Sequence, residues 1–108
     1  MTINELADKI GLTRLSGNTD KEIASCYISD LLSRVLGGCQ QDDIWITVQS
    51  SLNMVAVAVM TEAACVIFPE GVTAPDNVIL KANDEGVNIF SSDKTAYELA
   101  VSISELLK

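Results

Sequence analysis

An α/β fold, a small three-layer arrangement with a largely parallel or mixed sheet and helices on both faces, is predicted by three features of this 108-residue chain. Short apolar runs of strand character alternate with segments of helical periodicity. The crossovers between these runs are about a dozen residues or more, too long for hairpins and long enough for a helix. Several runs are apolar throughout, as strands covered on both faces require. One domain over residues 1–108 suits the length, and no linker, repeat or low-complexity tract divides it.

The elements follow in order. Ile3, Leu6, Ala7 and Ile10 fall at i, i+3, i+4 and i+7, and Thr2 with Glu5 has capping-box spacing, so residues 2–10 form a short helix stopped at Gly11. Leu12–Leu15 can extend, and Gly17-Asn18-Thr19-Asp20 is a turn cluster. Glu22–Ile28 suits a strand. A helix follows, capped by Ser29, with Asp30 complementing its dipole, a buried stripe of Leu31, Leu32, Val35 and Leu36, and Gly37-Gly38 as its stop. Ile44-Trp45-Ile46-Thr47-Val48 is β-branched and aromatic, hence a strand. Met54–Met60 suits strand or buried helix by pattern. Ser51 or Asn53 as cap, and the crossover needed before Ala64–Phe68, decide for helix. Ala64–Phe68 is a buried strand, residues 75–85 a helix opened by Pro75 and ended by Gly86, and Val87–Phe90 a strand. The last helix carries Ala96, Leu99, Ala100, Ile103, Leu106 and Leu107 on one stripe, with Thr95 and Glu98 as a second capping box.

Seven Lys plus Arg against fifteen Asp plus Glu give a net charge of −8, and there is no His. The first fact argues against binding a nucleic-acid backbone. The second removes imidazole catalysis and most zinc or copper sites, and no cofactor is expected. The N-terminus lacks the basic and apolar regions of a secretory signal, and no apolar run is long enough to span a bilayer, so a cytoplasmic protein is expected. Cys26, Cys39 and Cys65 cannot all pair within one chain and form no C-x-x-C, which makes buried thiols the expectation.

Ligands of such sheets usually lie beyond the strand carboxyl ends, near helix N-termini. The turns there are Ser29-Asp30, Gln49–Asn53, Pro69–Thr73 and Ser91–Thr95. Their candidate binding residues are Ser29, Asp30, Gln49, Ser51, Asn53, Gly71, Ser92, Asp93 and Thr95. Hydroxyls and amides at these places can hydrogen-bond a phosphate, ribose or base, and they equally serve as helix caps. Phosphate-loop and dinucleotide glycine motifs are absent. Asp42-Asp43 reads as a solvated turn, Trp45, Met54 and Met60 as core, and Lys94 as a solubilising cation. No catalytic residue is assigned, because the serines and cysteines have no imidazole base.

The runs Cys26–Ser33 and Asp43–Gln49 resemble segments of the DRTGG domain family, as do Ala64–Gly71 and Gly86–Ser92. The resemblance covers about residues 20–107, although the family's Asp-Arg pair is replaced by Gln49-Ser50 and its Thr-Gly-Gly by Pro69-Glu70-Gly71. The family's fold is similar to that of the HPr kinase N-terminal domain. Members stand alone, join phosphotransacetylases, or lie between CBS domains of pyrophosphatases in an adenine-nucleotide-responsive region; some are associated with iron hydrogenases. The resemblance therefore implies a non-catalytic regulatory or adaptor domain, homodimeric, with a small anionic metabolite such as an adenine nucleotide as ligand. Its alternative is an interaction subunit of a hydrogenase or other redox enzyme, without a ligand.

Overall fold

The computed structural model describes all of residues 1–108. Helix α1 (Ile3–Ile10) opens on the expected capping box: Thr2 Oγ1 accepts from the Glu5 amide, and Glu5 Oε1 accepts from the Thr2 amide. Next come β1 (Thr13–Ser16), β2 (Cys26–Ile28) and α2 (Leu32–Gly38). They are followed by β3 (Ile44–Ile46), α3 (Leu52–Thr61), β4 (Cys65–Phe68), α4 (Asp76–Glu85), β5 (Ile89–Ser91) and α5 (Ala96–Leu106). The segment of ambiguous pattern at 54–60 is helical. Ser51 is its cap, its hydroxyl accepting from the Met54 amide.

The sheet order is β1-β5-β4-β3-β2, with β2 to β5 parallel and β1 antiparallel to β5. Because β2, β3, β4 and β5 succeed one another in a single direction, right-handed crossovers place all three connecting helices on the same face. The cores agree. Trp45, Val66, Phe68 and Ile89 point to the side of Val35 from α2, Val55 and Ala58 from α3, and Val78 and Ala82 from α4. Their strand neighbours Ile44, Ile46, Cys65, Ile67 and Phe90 point to the other side and meet Ile3 and Leu6 of α1 and Leu99 and Ile103 of α5. Both faces of β3 and β4 are thus buried, which is why these strands are apolar without alternation.

Several expectations need correction. The strand expected over 22–28 is paired to β3 only from Cys26. Upstream, Glu22 bridges Thr2 and the Ile23 amide donates to the Met1 carbonyl, because Ile23 is drawn into the α1 core. In α2 only Val35 is fully buried; Leu31 and Leu36 are 59% and 46% exposed, since the short helix touches the sheet along one line. Met60 is 68% exposed on the outer side of α3, unlike Trp45 and Met54, which are wholly buried. Asp43 is buried and accepts from the Gln40 amide, so the turn at 40–43 is pinned from inside instead of solvated throughout.

Gly37 and Gly38 lie in the last turn of α2, and they differ in kind. A Cβ on Gly38 would sit 2.5–2.6 Å from the Tyr27 ring, whose hydroxyl donates to the Arg34 carbonyl. Nothing lies within 4 Å of the corresponding point on Gly37. We expect Gly38→Ala to cost about 1–3 kcal/mol through overpacking. Gly37→Ala gains up to about 1 kcal/mol in the same host through helix propensity. Urea midpoints of the two variants check this, and equal midpoints would contradict it.

Candidate functional site

All four parallel strands end on one edge of the sheet, and the turns that follow them carry the candidate residues. The first two turns are clamped to each other. Asp30 Oδ1 accepts from Thr47 Oγ1 at 2.8 Å and from the Val48 amide at 2.9 Å, while Gln49 Nε2 donates to the Asp30 carbonyl at 2.8 Å. The Trp45 indole donates to the Ser29 carbonyl at 2.9 Å, and Ser29 Oγ accepts from the Leu31 amide at 3.2 Å. The expected roles of Ser29 as helix cap and Asp30 as dipole partner are therefore replaced. Leu31 occupies the N-cap of α2 without a side-chain bond, and the Asp30 carboxylate turns across to β3 because Thr47 and Val48 there offer two donors.

The last two turns are also joined, by backbone. The Gly71 amide donates to the Ser92 carbonyl at 2.8 Å, the Glu70 amide to the Lys94 carbonyl at 2.9 Å, and the Ser92 amide to the Phe68 carbonyl at 3.0 Å. Glu70 and Gly71 both take the left-handed conformation, with φ of 58° and 72°, to make this join. Asp93 Oδ1 lies 3.5 Å from where a Gly71 Cβ would stand. Ser92 is buried with its hydroxyl accepting from the Lys94 amide, and Thr95 completes the capping box of α5 with Glu98. That box holds the Glu98 carboxyl below the usual range through the hydrogen bonds from Thr95. Ser91 and Lys94 stand at Ser-x-x-Lys spacing, yet Lys94 Nζ donates to the Ile10 carbonyl at the end of α1.

Between these joined pairs lies an open cleft of about 610 Å³, lined by Val48–Asn53 from the β3–α3 turn and by Pro75, Asn77 and Val78 from the start of α4. It brings together Gln49, Ser51 and Asn53 of the candidate residues; Ser29, Asp30, Gly71, Ser92, Asp93 and Thr95 are not in its lining. Asn77 and Ser50 line it without having been candidates, and Asn77 stood unmarked beside Pro75 in what reads as an ordinary helix start. No lining residue is charged, so the cleft presents amides, hydroxyls and apolar surface only. A negatively charged ligand would find no side-chain cation among them, and ordinary phosphate clamps use Arg or Lys.

The thiols are held as acids. Burial first, then the negative charges of Asp43 and Cys39, push Cys26 up to about 12; burial likewise raises Cys39 and Cys65. No three Cys, Asp or Glu side chains are grouped so that they could hold a metal ion.

Two outcomes follow from this geometry. Asp30→Ala leaves the buried Thr47 hydroxyl, which still accepts from the Gln49 amide, without an acceptor for its proton, takes the acceptor from the Val48 amide, and should cost about 1–3 kcal/mol, whereas Asp30→Asn keeps an acceptor and should cost less, as read from thermal midpoints. Alkaline titration should also lower stability. The unfolded thiols ionise near 9 while folded Cys26 stays protonated to about 12, so the unfolded state binds fewer protons in that window and stability falls as pH rises through it. Cys26→Ala should flatten that part of the profile, and an unchanged slope would contradict the assignment.

No helix of the chain is long and apolar enough to cross a membrane. No family model matches the sequence, and no curated protein matches it. Among solved structures, the CBS and DRTGG domains of the regulatory region of Clostridium perfringens pyrophosphatase, complexed with the activator diadenosine tetraphosphate, match the fold with a TM-score of 0.73 at 12% identity. The match covers 94% of this chain and 45% of that one, so the chain spans less than half of its neighbour. It supports a DRTGG-related fold.

Proposed function

We propose that the chain is a non-catalytic regulatory domain that binds the nucleoside part of an adenine nucleotide in the cleft between the β3–α3 turn and the start of α4. The observation that carries this reading is the fold likeness to a regulatory region solved with a diadenosine tetraphosphate activator. The cleft supports it in kind. Its volume lies within the range of about 300–1,000 Å³ typical of small-molecule sites. Asn53, Asn77 and Gln49 supply donors and acceptors of the sort that read a base edge or ribose, and Val48, Leu52, Pro75 and Val78 supply apolar surface.

In this reading the phosphates stay on the solvent side, consistent with an uncharged lining that offers no lysine or arginine and with the net charge of −8. A clamp of cations weakens as salt rises, whereas repulsion between a polyphosphate and an acidic chain is itself screened. Calorimetric titration with AMP, ADP, ATP and diadenosine tetraphosphate tests the reading. We expect binding whose affinity holds or rises between about 0.01 and 0.15 M ionic strength. Loss of two hydrogen bonds in Asn53→Ala with Asn77→Ala should weaken it about tenfold. Ser92 is a poor probe, because its buried hydroxyl holds the β5–α5 turn. Absence of binding to all four ligands by the folded chain would reject the proposal, and so would undiminished affinity in the double variant.

A further inference from the structure

Gln49 is held at both its backbone and its side chain. Its backbone amide donates to Thr47 Oγ1 at 3.1 Å, its Nε2 donates to the Asp30 carbonyl at 2.8 Å, and the Thr47 hydroxyl is itself anchored on Asp30 Oδ1. The Val48 amide donates to the same carboxylate oxygen, so the residue before Gln49 is pinned as well. A main-chain carbonyl accepts and cannot donate. The Gln49 amide therefore has one orientation, nitrogen toward Asp30, and a half turn about its last bond would set oxygen against oxygen. Asp30 lies outside the cleft lining and Gln49 within it, and Oε1 takes no hydrogen bond from the chain. The cleft thus holds an acceptor whose sign cannot reverse.

The other polar side chains of the lining lack that constraint. Asn53 and Asn77 are exposed and their amides make no hydrogen bond within the chain, so each can turn either oxygen or nitrogen to a ligand. Ser51 Oγ accepts from the Met54 amide and keeps a proton to donate, and the Ser50 hydroxyl rotates freely. Groups that reverse adapt to whichever base edge they meet, and they add affinity without selectivity. A group that cannot reverse rejects a ligand of the wrong polarity.

Resting on the nucleoside reading of the cleft, we propose that Gln49 is the residue that determines base specificity. Its Oε1 accepts from the exocyclic amine of adenine and discriminates against purines that carry a carbonyl oxygen at the same ring position. Adenine donates there and hypoxanthine accepts. The second base would bring two acceptors together with no proton between them, which costs more than the mere absence of a hydrogen bond. The two bases are otherwise matched in size and ring shape, so polarity alone separates them. Asp30 and Thr47 act through Gln49, as positioning residues that fix which end of its amide is offered.

Calorimetric titration of the full chain with AMP, purine riboside monophosphate and IMP, which carry an amine, a hydrogen and an oxygen at that position, tests the assignment. AMP should bind tightest, the riboside about fivefold more weakly for the missing hydrogen bond, and IMP at least about tenfold more weakly than AMP. Gln49→Met keeps the length of the side chain without its amide. It should weaken AMP about fivefold and bring the three ligands to within about twofold of one another, with a thermal midpoint taken alongside to show that the chain is folded. The wild-type ligand order needs no variant and decides by itself if Gln49→Met does not fold. Equal affinities for the three ligands in the wild-type chain would overturn the inference and leave the nucleoside reading standing. A preference for AMP that survives undiminished in folded Gln49→Met would also overturn it, because another group would then be reading that position. Failure of all three to bind would overturn it together with the nucleoside reading.

Discussion

Everything in this molecule depends on a sheet wound in one direction through right-handed crossovers. With β2, β3, β4 and β5 laid down in spatial order, α2, α3 and α4 have no choice of face, and the opposite face falls to α1 and α5. The antiparallel β1 closes the β5 side, and Arg14 on it stacks 4.6 Å over the Phe90 ring while donating to Asn88 and Asn4. The same winding puts the N-termini of α3 and α4 side by side at the strand carboxyl edge, so their turns form the walls of one cleft. Where the helices change face, between β4 and β5, an open α/β sheet usually opens its ligand crevice. This chain seals that place with backbone bonds from Glu70 and Gly71 to Lys94 and Ser92, which moves the open volume one strand over.

Much of the architecture is legible in the residues because local signals agree with the tertiary outcome. The two capping boxes, the left-handed stops at Gly11 and Gly86, and the all-apolar β4 each suffice locally, and the crossover requirement resolves Met54–Met60 correctly as a helix. What stays hidden depends on partners distant in sequence. Nothing near Gly38 announces Tyr27, eleven positions away, and the pair reads as a helix stop. Asn88 sits unmarked inside an apolar run, yet its amide donates to the Ala64 carbonyl and Thr19 and accepts from Arg14. Asp30 looks like a helix-dipole carboxylate until β3 supplies Thr47 and Val48 as donors.

The candidate site shows the same division. Choosing the polar turns after the parallel strands finds Gln49, Ser51 and Asn53 on one cleft, because the position of such turns follows from topology. Their chemistry does not follow. Hydroxyls and carboxylates at helix starts serve caps and clamps as readily as ligands, and six of the nine candidates stand outside the cleft lining, several of them in protein hydrogen bonds. The outward face of α3 escapes for the opposite reason: a Val and Ala alternation resembles core throughout, and only the packing of α2 and α4 shows which side is left uncovered.

An amide-resolved nuclear magnetic resonance titration with diadenosine tetraphosphate reaches the central claim most directly, because it reports both whether the ligand binds and where. Shifts concentrated on residues 48–53 and 76–78, with the joined turns at Gly71 and Ser92 little changed, are the result this account requires. Shifts centred on Asp93 and Thr95, or a spectrum unmoved at saturating ligand, would contradict it.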